Sequence, residues 1–246
     1  MPNEPYLDAS VRWKIQTGAI DLQEPRYHGV AESIRSNNLA TEVVRQVGAG
    51  KEADVYYCLD GRRPIAVKVY RMYRTSHRGG RPVKSDVMGH HACDEFDMLT
   101  FAYRGELPVP RPIRRVENMF SMEFLGGPEG PAPQLLRVRL DRPEEHARRL
   151  LRAVEEMAMS GVVHTDLSAY NILVWNGRSY FIDLAAALRV DRLGSSPWMR
   201  VTEAKQHLQR GLRSLGGYFR RYGVDWPMDE AVERMVSYLD RWGVME

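Results

Sequence analysis

The sequence VVHTDLSAYNILVWNGRSYFID at residues 162–183 contains two short runs of strand-forming residues, 172–175 and 180–182, on either side of an Asn-Gly pair. Asn-Gly is typical of a two-residue hairpin turn, because both residues tolerate positive φ. Antiparallel pairing of the two runs would bring Asn171 next to Asp183. An amide oxygen beside a carboxylate suits Mg²⁺, which prefers oxygen ligands. The stretch therefore predicts a metal site at the open end of a hairpin.

A further acid, Asp166, precedes this hairpin within an H-x-D-L-x-x-x-N segment that begins at His164. On a loop, its carboxylate is placed to accept or orient the proton of a hydroxyl group. Together with a bound metal ion, that is the layout of a phosphoryl-transfer site. The alternative interpretation is a surface hairpin with an acid at each end. We expect His164 to brace the loop rather than to transfer protons.

Composition limits the classes of protein that fit. The 246 residues suffice for one large domain or two lobes, and a net charge of +3 is too small to indicate nucleic-acid binding by itself. Two cysteines, Cys58 and Cys93, form neither a disulfide framework nor a metal-ligand pattern. The N-terminus shows no signal peptide, and no apolar run approaches the ~18 residues that span a bilayer. We therefore expect a cytoplasmic protein without membrane contact.

A glycine loop lies upstream, between the valine-rich run 41–47 and the alternating run 53–59. Gly48 and Gly50 would let backbone amides approach phosphate oxygens closely. Ala53 stands where G-x-G-x-x-G has its third glycine, and a strand rather than a helix follows. That favours a loop folding over a nucleotide, although an ordinary hairpin turn remains the alternative.

The next strand carries a lysine in an apolar setting. Period-two alternation places Ala66 and Lys68 on one face, which suits an adenine ring beside its phosphates. Such a lysine is costly to bury without a partner, and Glu95 lies on the apolar stripe of a helix predicted from residue 85 or 86 to about Arg104. The alternatives are a lysine that reaches water at a sheet edge and a glutamate at the surface.

Two further segments bear on partners and on layout. Residues 71–84 hold five basic residues and no acid, which usually indicates solvated surface and less often contact with an anionic partner. The cluster His90, His91 and Cys93 is interpreted as part of a helix, because no second ligand cluster follows. Residues 125–133 are rich in glycine and proline and predict a hinge.

We predict four regions: an arm with a short helix (1–40), a sheet lobe (41–124), the hinge (125–133) and a mainly helical lobe (134–246). In the last of these, helices are expected at Asp141–Ser160, with Asp141 as N-cap, at Trp198–Tyr222 and at Pro227–Trp242. The antiparallel sheet and the helices after it indicate an α+β fold.

The order of these motifs is that of protein kinases. More narrowly, the sequence resembles the RIO family of atypical protein kinases over roughly residues 40–223. The resemblance rests on GKEADVY at 50–56, MEFLG at 122–126 followed by Pro-Ala-Pro, HTDLSAYN at 164–171 and Ile-Asp at 182–183. The apolar residues 184–187, and a basic loop shorter than that of eukaryotic members, depart from the family pattern.

The resemblance implies a two-lobed kinase-like fold, with one main helix beside the N-terminal sheet and no usual activation loop in the helical C-terminal lobe. It implies serine kinase activity, including autophosphorylation, with ATP and Mg²⁺, or Mn²⁺ as an alternative. The implied catalytic residues are Asp166, Lys68 and Asp183, and the implied metal ligands are Asn171 and Asp183. The implied nucleotide-binding residues are Gly48, Gly50, Lys51, Val55, Ala66, Lys68, Glu95, Met122, Glu123 and Leu125.

Three other functions stay open at this point. The first is an ATPase that acts as a conformational switch on an RNA–protein assembly contacted through the basic loop 71–84, with phosphate passing to Asp183. The second is a small-molecule phosphotransferase, although the modest C-terminal half counts against it. The third is a non-catalytic nucleotide-binding scaffold, which the complete set of catalytic residues disfavours. The protein substrate is not predicted.

Overall fold

The structure is a computed structural model, and it describes residues 13, 17, 21–22, 27–50, 53–70, 73–74, 86–190 and 197–244. These residues form two compact units. The first holds the described residues up to Asp97 together with Arg111–Phe124, and the second holds Met98–Pro110 and the described residues from Leu125 onward. The boundaries at residues 40, 125 and 133, between the arm, the sheet lobe, the hinge and the helical lobe, stay predictions.

The first unit is built on a five-stranded antiparallel sheet. In chain order, its elements are β1 (Asp21–Leu22), α1 (Tyr27–Ser36), β2 (Glu42–Ala49), β3 (Ala53–Asp60), β4 (Arg63–Tyr70), β5 (Tyr73–Arg74), α2 (Asp86–Arg104), β6 (Pro112–Val116) and β7 (Met119–Glu123). The strand order in the main sheet is β2-β3-β4-β7-β6, and β1 pairs separately with β5. Residues of α2 from Met98 onward belong to the second unit.

One face of this sheet is covered by α1. Ile65, Val67 and Val69 of β4 share a buried cluster with Val30 and Ile34 of the helix. The alternation predicted for β4 is confirmed, since its apolar residues point to one face and leave Lys68 on the other. The sheet therefore packs one face against α1, while the other face carries Lys68 together with apolar side chains such as Ala66.

The second unit begins with a small hairpin and is mainly helical. Its elements are β8 (Gly126–Gly127), β9 (Gly130–Pro131), a 3₁₀ turn (Leu135–Arg137), α3 (Pro143–Met159), β10 (Val162–Val163), β11 (Ile172–Trp175), β12 (Arg178–Phe181), β13 (Leu188–Arg189), α4 (Pro197–Arg220) and α5 (Met228–Val244). Helix α5 packs against both α3 and α4. The chain thus has the α+β class predicted from its sequence.

The predicted N-cap of α3 is wrong by one residue. Arg142, not Asp141, is the N-cap, and no side chain caps the helix. Pro143 fixes the first helical position instead, because its φ already suits a helix and its missing N–H needs no partner there. The carboxylates of Glu144 and Glu145 in the first turn interact favourably with the positive end of the helix dipole.

No helix among the residues that the structure describes is long and apolar enough to cross a bilayer. Lys51 lies outside the described residues, as does the basic loop 71–84 apart from the short strand β5.

Candidate functional site

The ion pair predicted between Lys68 and Glu95 is present. Lys68 Nζ lies 2.8 Å from Glu95 Oε1 and 2.7 Å from Oε2, joining β4 to α2. Glu95 is only 4% exposed, so its carboxylate has little water around it. Removing one partner from such a pair would leave the other as an uncompensated buried charge. The pair therefore fixes the lysine ammonium at a defined place on the sheet.

A third group, Tyr70, completes this arrangement. It lies two residues after Lys68 on the same face of β4, and its hydroxyl donates a hydrogen bond to Glu95 Oε2. The tyrosine is 1% exposed, and its ring stacks near that of His91 at a centroid distance of 6.1 Å. Sequence analysis missed this role, because a tyrosine in an apolar strand is indistinguishable from a core residue.

Several predicted nucleotide-binding residues share the face that carries Lys68. Gly48 pairs with Val55, and Val55 pairs with Lys68 across three neighbouring strands. Ala66 pairs with Met122 in the adjacent row. Because directly paired residues point to the same side of a sheet, these side chains form one continuous surface.

The loop at the glycine segment is shorter than the sequence predicted, because β2 extends to Ala49. Strand β2 continues through Gly48 to Ala49, so Gly48 belongs to the ladder and only a short connection leads to Ala53. The Gly50 N–H donates to the Ala53 carbonyl at 2.8 Å, and a Cβ on Gly50 would lie 3.0 Å from that oxygen. A side chain at position 50 would crowd this turn.

Backbone hydrogen bonds limit which atoms of Glu123 and Leu125 could contact adenine. The Glu123 N–H donates to the Arg111 carbonyl at 2.8 Å, so only the Glu123 carbonyl is left to consider for a ligand. The Leu125 carbonyl accepts from the Ala132 N–H at 2.8 Å, which leaves the Leu125 N–H.

In the second unit, the predicted hairpin forms with the expected turn. Ile172 pairs with Phe181, and the turn residues Asn176 and Gly177 have φ of 49° and 73°. Pairing continues past the strands, since the Ile182 N–H donates to the Asn171 carbonyl at 3.0 Å. The hairpin therefore sets Asn171 beside the residue that precedes Asp183.

Asn171 also orients the predicted catalytic acid. Its amide nitrogen donates to the Asp166 carbonyl and to Asp166 Oδ2, both at 2.9 Å. With the nitrogen used in this way, the amide oxygen is the atom that can bind a cation. Asp166 is exposed to solvent.

His164 connects the predicted catalytic loop, residues 164–171, to the end of the hairpin. Its Nδ1 accepts from the Asp166 N–H at 3.2 Å, so its Nε2 must carry the proton that it donates to the Ile182 carbonyl at 3.0 Å. Burial lowers the pKa of His164, opposed by the Ile182 hydrogen bond and by Asp183 and Asp166. A neutral, doubly hydrogen-bonded imidazole is a brace, as the sequence predicted.

Asp183 has a backbone conformation that is uncommon outside glycine. Its φ is 63°, in the left-handed region where aspartate and asparagine are among the few tolerated side chains. Such strain persists only where the surrounding structure holds it in place. Its exposed side chain supplies the carboxylate of the predicted metal site.

Helix α4 packs against the predicted catalytic loop. The His207 Nδ1 lies 3.0 Å from the Thr165 carbonyl oxygen. A Cβ on Gly211 would lie 2.7 Å from Leu167 Cβ, so only glycine allows this approach. Neither residue was found by sequence analysis, because their roles arise from packing between distant parts of the chain.

The side chains present fit a magnesium site of few protein ligands. No group of three or more His, Cys, Asp or Glu side chains among the described residues is placed to hold a metal ion. One carboxylate and one amide oxygen suit Mg²⁺, which keeps several waters and uses substrate phosphates as further ligands.

Comparison with known proteins places the chain in a family. A family model of the RIO domain matches residues 54–232. The chain is 31% identical over 208 residues to the RIO-type serine/threonine-protein kinase Rio1 of Haloferax volcanii, covering 76% of this chain and 66% of that protein. It is 26% identical over 192 residues to Rio1 of Thermoplasma acidophilum, covering 73% and 97%.

The relatives differ in length, and the chain spans only 37% of human RIO1. The crystal structure of Rio2 kinase from Chaetomium thermophilum matches with a TM-score of 0.65 at 18% identity, covering 96% of this chain and 82% of that one. This likeness shows a shared kinase-like fold. With the family model matching most of the sequence, the chain belongs to the RIO family of serine/threonine-protein kinases.

Proposed function

We propose that this protein transfers the γ-phosphoryl group of ATP to serine, including serines of its own chain. The observation that carries the proposal is the Asn171 amide, which hydrogen-bonds the Asp166 carboxylate at 2.9 Å while its backbone pairs with Ile182, next to Asp183. A substrate-orienting acid and two oxygen ligands for a cation are thereby set by one hairpin.

Each residue has a distinct proposed part. Lys68, held by Glu95 and Tyr70, binds the α- and β-phosphates of ATP. Asp166 accepts or orients the proton of the attacking hydroxyl. Asn171 and Asp183 hold Mg²⁺, or Mn²⁺ as the alternative, which when bound neutralises charge on the phosphates.

The remaining predicted nucleotide-binding residues shape the pocket for ATP. Gly50 lets the backbone approach phosphate, and Val55, Ala66 and Met122 form the apolar surface for adenine. The relatives' names favour a protein substrate over a small molecule. We also propose that the protein is cytoplasmic and that the basic segment 71–84 contacts an RNA–protein assembly.

The test is Asp183→Asn, which keeps the size of the side chain and its tolerance of positive φ but removes the carboxylate. We expect ATP turnover to fall by about 100-fold or more, because metal binding and charge stabilisation contribute several kcal/mol. Phosphoserine and released phosphate would be measured together. Asp141→Asn, at an exposed position away from the site, is the matched control. Turnover at the wild-type rate in Asp183→Asn would refute the metal assignment.

A second candidate is an ATPase that passes phosphate through a carboxylate. The observation that favours it is a solved Rio2 structure described as an ADP/Mg²⁺-phosphoaspartate complex, to which this chain is similar in fold at a TM-score of 0.63. A carboxylate oxygen of Asp183 would attack the γ-phosphorus and release ADP, and water would then hydrolyse the acyl phosphate. Release of protein-bound phosphate by hydroxylamine would identify this route, because hydroxylamine cleaves an acyl phosphate and leaves phosphoserine intact.

A further inference from the structure

Tyr170 is an exposed aromatic residue within the predicted catalytic loop. It is 58% exposed, and among the side chains described in the second unit no large apolar one is more exposed. Its ring makes no stacking or cation contact, and its hydroxyl no hydrogen bond, within the part of the chain that the structure describes. Single exposed apolar residues are common on protein surfaces, so exposure alone does not mark a site. The position of the residue does.

The backbone is fixed on both sides of Tyr170. The Leu136 N–H donates to the Ala169 carbonyl at 3.1 Å, and the Asn171 N–H donates to the Ser168 carbonyl at 3.1 Å. Ala169 is 5% exposed, so the loop turns this residue inward and the tyrosine outward. A ring presented by a fixed backbone has only its own two side-chain rotations to lose when it binds a partner.

Two residues of the proposed site lie on the same loop. Asn171 follows Tyr170 directly, and Asp166 precedes it by four residues, with all three in the second unit. Four residues span at most about 14 Å even when fully extended. An extended peptide covers the same distance in about four residues. With the acceptor serine at Asp166, Tyr170 is therefore within reach of a side chain about four residues or fewer from that serine.

We propose that Tyr170 binds an apolar side chain of the protein substrate, within about four residues of the acceptor serine. This inference rests on the proposed serine kinase function and names a specificity-determining residue of the same site. A tyrosine ring offers a large, rigid contact area, and packing it against an apolar side chain removes both surfaces from water. The adenine base already has its proposed surface on the first unit, at Val55, Ala66 and Met122, which leaves Tyr170 for the substrate.

A library of serine peptides tests the proposal, with one position at a time varied within about four residues of the serine. Phosphorylation would be measured with the full chain as wild type, Tyr170→Ala and Tyr170→Phe. We expect the wild type to prefer leucine, methionine or phenylalanine over glycine by about tenfold at one of these positions. Tyr170→Ala should lose that preference, and Tyr170→Phe should keep it because the ring is retained.

Steady-state kinetics with the preferred peptide separate substrate binding from support of the loop. In Tyr170→Ala the KM for the peptide should rise by about tenfold, as for loss of a buried aromatic contact. Its kcat and its KM for ATP should change by less than about twofold, because the ring takes no part in the hydrogen bonds of the loop. Tyr103→Ala, at an exposed tyrosine on α2, is the control and should change the KM for the peptide by less than about twofold.

The proposal is overturned if Tyr170→Ala keeps the wild-type peptide preference, or if the preference that it loses is for charged residues. It is also overturned if kcat and the KM for ATP change as much as the KM for the peptide, since the ring would then support the loop. A wild type that hydrolyses ATP but phosphorylates no peptide would refute the serine kinase function itself, and this inference with it.

Discussion

At the scale of single residues, Glu95 is the acceptor shared by two neighbours on β4. Lys68 contributes an ammonium and Tyr70 a hydroxyl, and the carboxylate is almost fully buried. The lysine ammonium lies within 2.8 Å of both carboxylate oxygens. The tyrosine hydrogen bond adds a second partner at Oε2 and so restrains further the carboxylate that holds the lysine.

Tyr70→Phe tests this arrangement, because it removes the hydroxyl and keeps the ring. We expect the free energy of unfolding to fall by about 1.5–3 kcal/mol, as for a hydrogen bond to a charged group. The KM for ATP should rise, since Lys68 would be held less firmly. Urea unfolding and steady-state kinetics measure the two effects.

The control is Tyr103→Phe near the end of α2, where the tyrosine is 42% exposed. It should leave both quantities nearly unchanged. If Tyr70→Phe behaves like this control, the hydroxyl does not position Lys68.

His164 predicts a pH dependence of stability. Burial lowers its pKa, so the folded state favours the neutral ring and the unfolded state binds a proton more readily. The stabilisation is therefore present above about pH 6.5 and is lost as the pH falls below it, by at most about 1.4 kcal/mol per pH unit. Burial also lowers the pKa of His146, which adds a loss of the same sign.

Urea unfolding at pH 7.5 and pH 5.5 would measure the effect. His164→Gln should lose less stability between the two values than the wild type does, whereas His90→Gln, at an exposed position on α2, should behave like the wild type. Equal pH dependence in His164→Gln and wild type would contradict this account.

At the scale of elements, α4 packs against the predicted catalytic loop. Gly211→Ala would place a methyl group 2.7 Å from Leu167 Cβ, and neither atom lies at the end of a flexible side chain. We expect a loss of about 1–3 kcal/mol from overpacking and a lower kcat, because Leu167 follows Asp166 directly. Chemical unfolding and turnover measurements would show both.

Gly217→Ala on the same helix is a close control, since a Cβ there meets nothing within 4 Å. The alanine should leave turnover unchanged and raise stability by up to about 1 kcal/mol through helix propensity. Equal losses in the two variants would mean that glycine at 211 serves the helix and not the loop.

At the scale of the whole molecule, ligand binding should stabilise the fold in a metal-dependent way. A non-hydrolysable ATP analogue with Mg²⁺, at 100 times its Kd, should add about 2.7 kcal/mol, which corresponds to a rise in Tm of about 5–10 °C. In Asp183→Asn the rise should be no larger than with the analogue alone. Thermal scanning fluorimetry would check this, with Asp141→Asn expected to match the wild type.

Much of the molecule could be predicted from its sequence because the relevant signals are local. Asn176-Gly177 specified a turn, and alternation on β4 together with a charged residue on a helical stripe predicted the pairing of Lys68 with Glu95. Tyr70 and Gly211 could not be found, since each acts through a partner distant in the chain. The start of α3 was wrong because Asp141 has the right chemistry for a cap, whereas Pro143 determines where the helix begins.

The left-handed backbone at Asp183 also bears on how members of such a family can diverge. Only glycine, asparagine and aspartate adopt this conformation readily, and only aspartate brings a negative charge. One codon change to asparagine or glycine would therefore silence the metal position while the hairpin and its brace persist. If the proposed metal site is right, a lineage could lose phosphoryl transfer in a single mutational step and retain the fold.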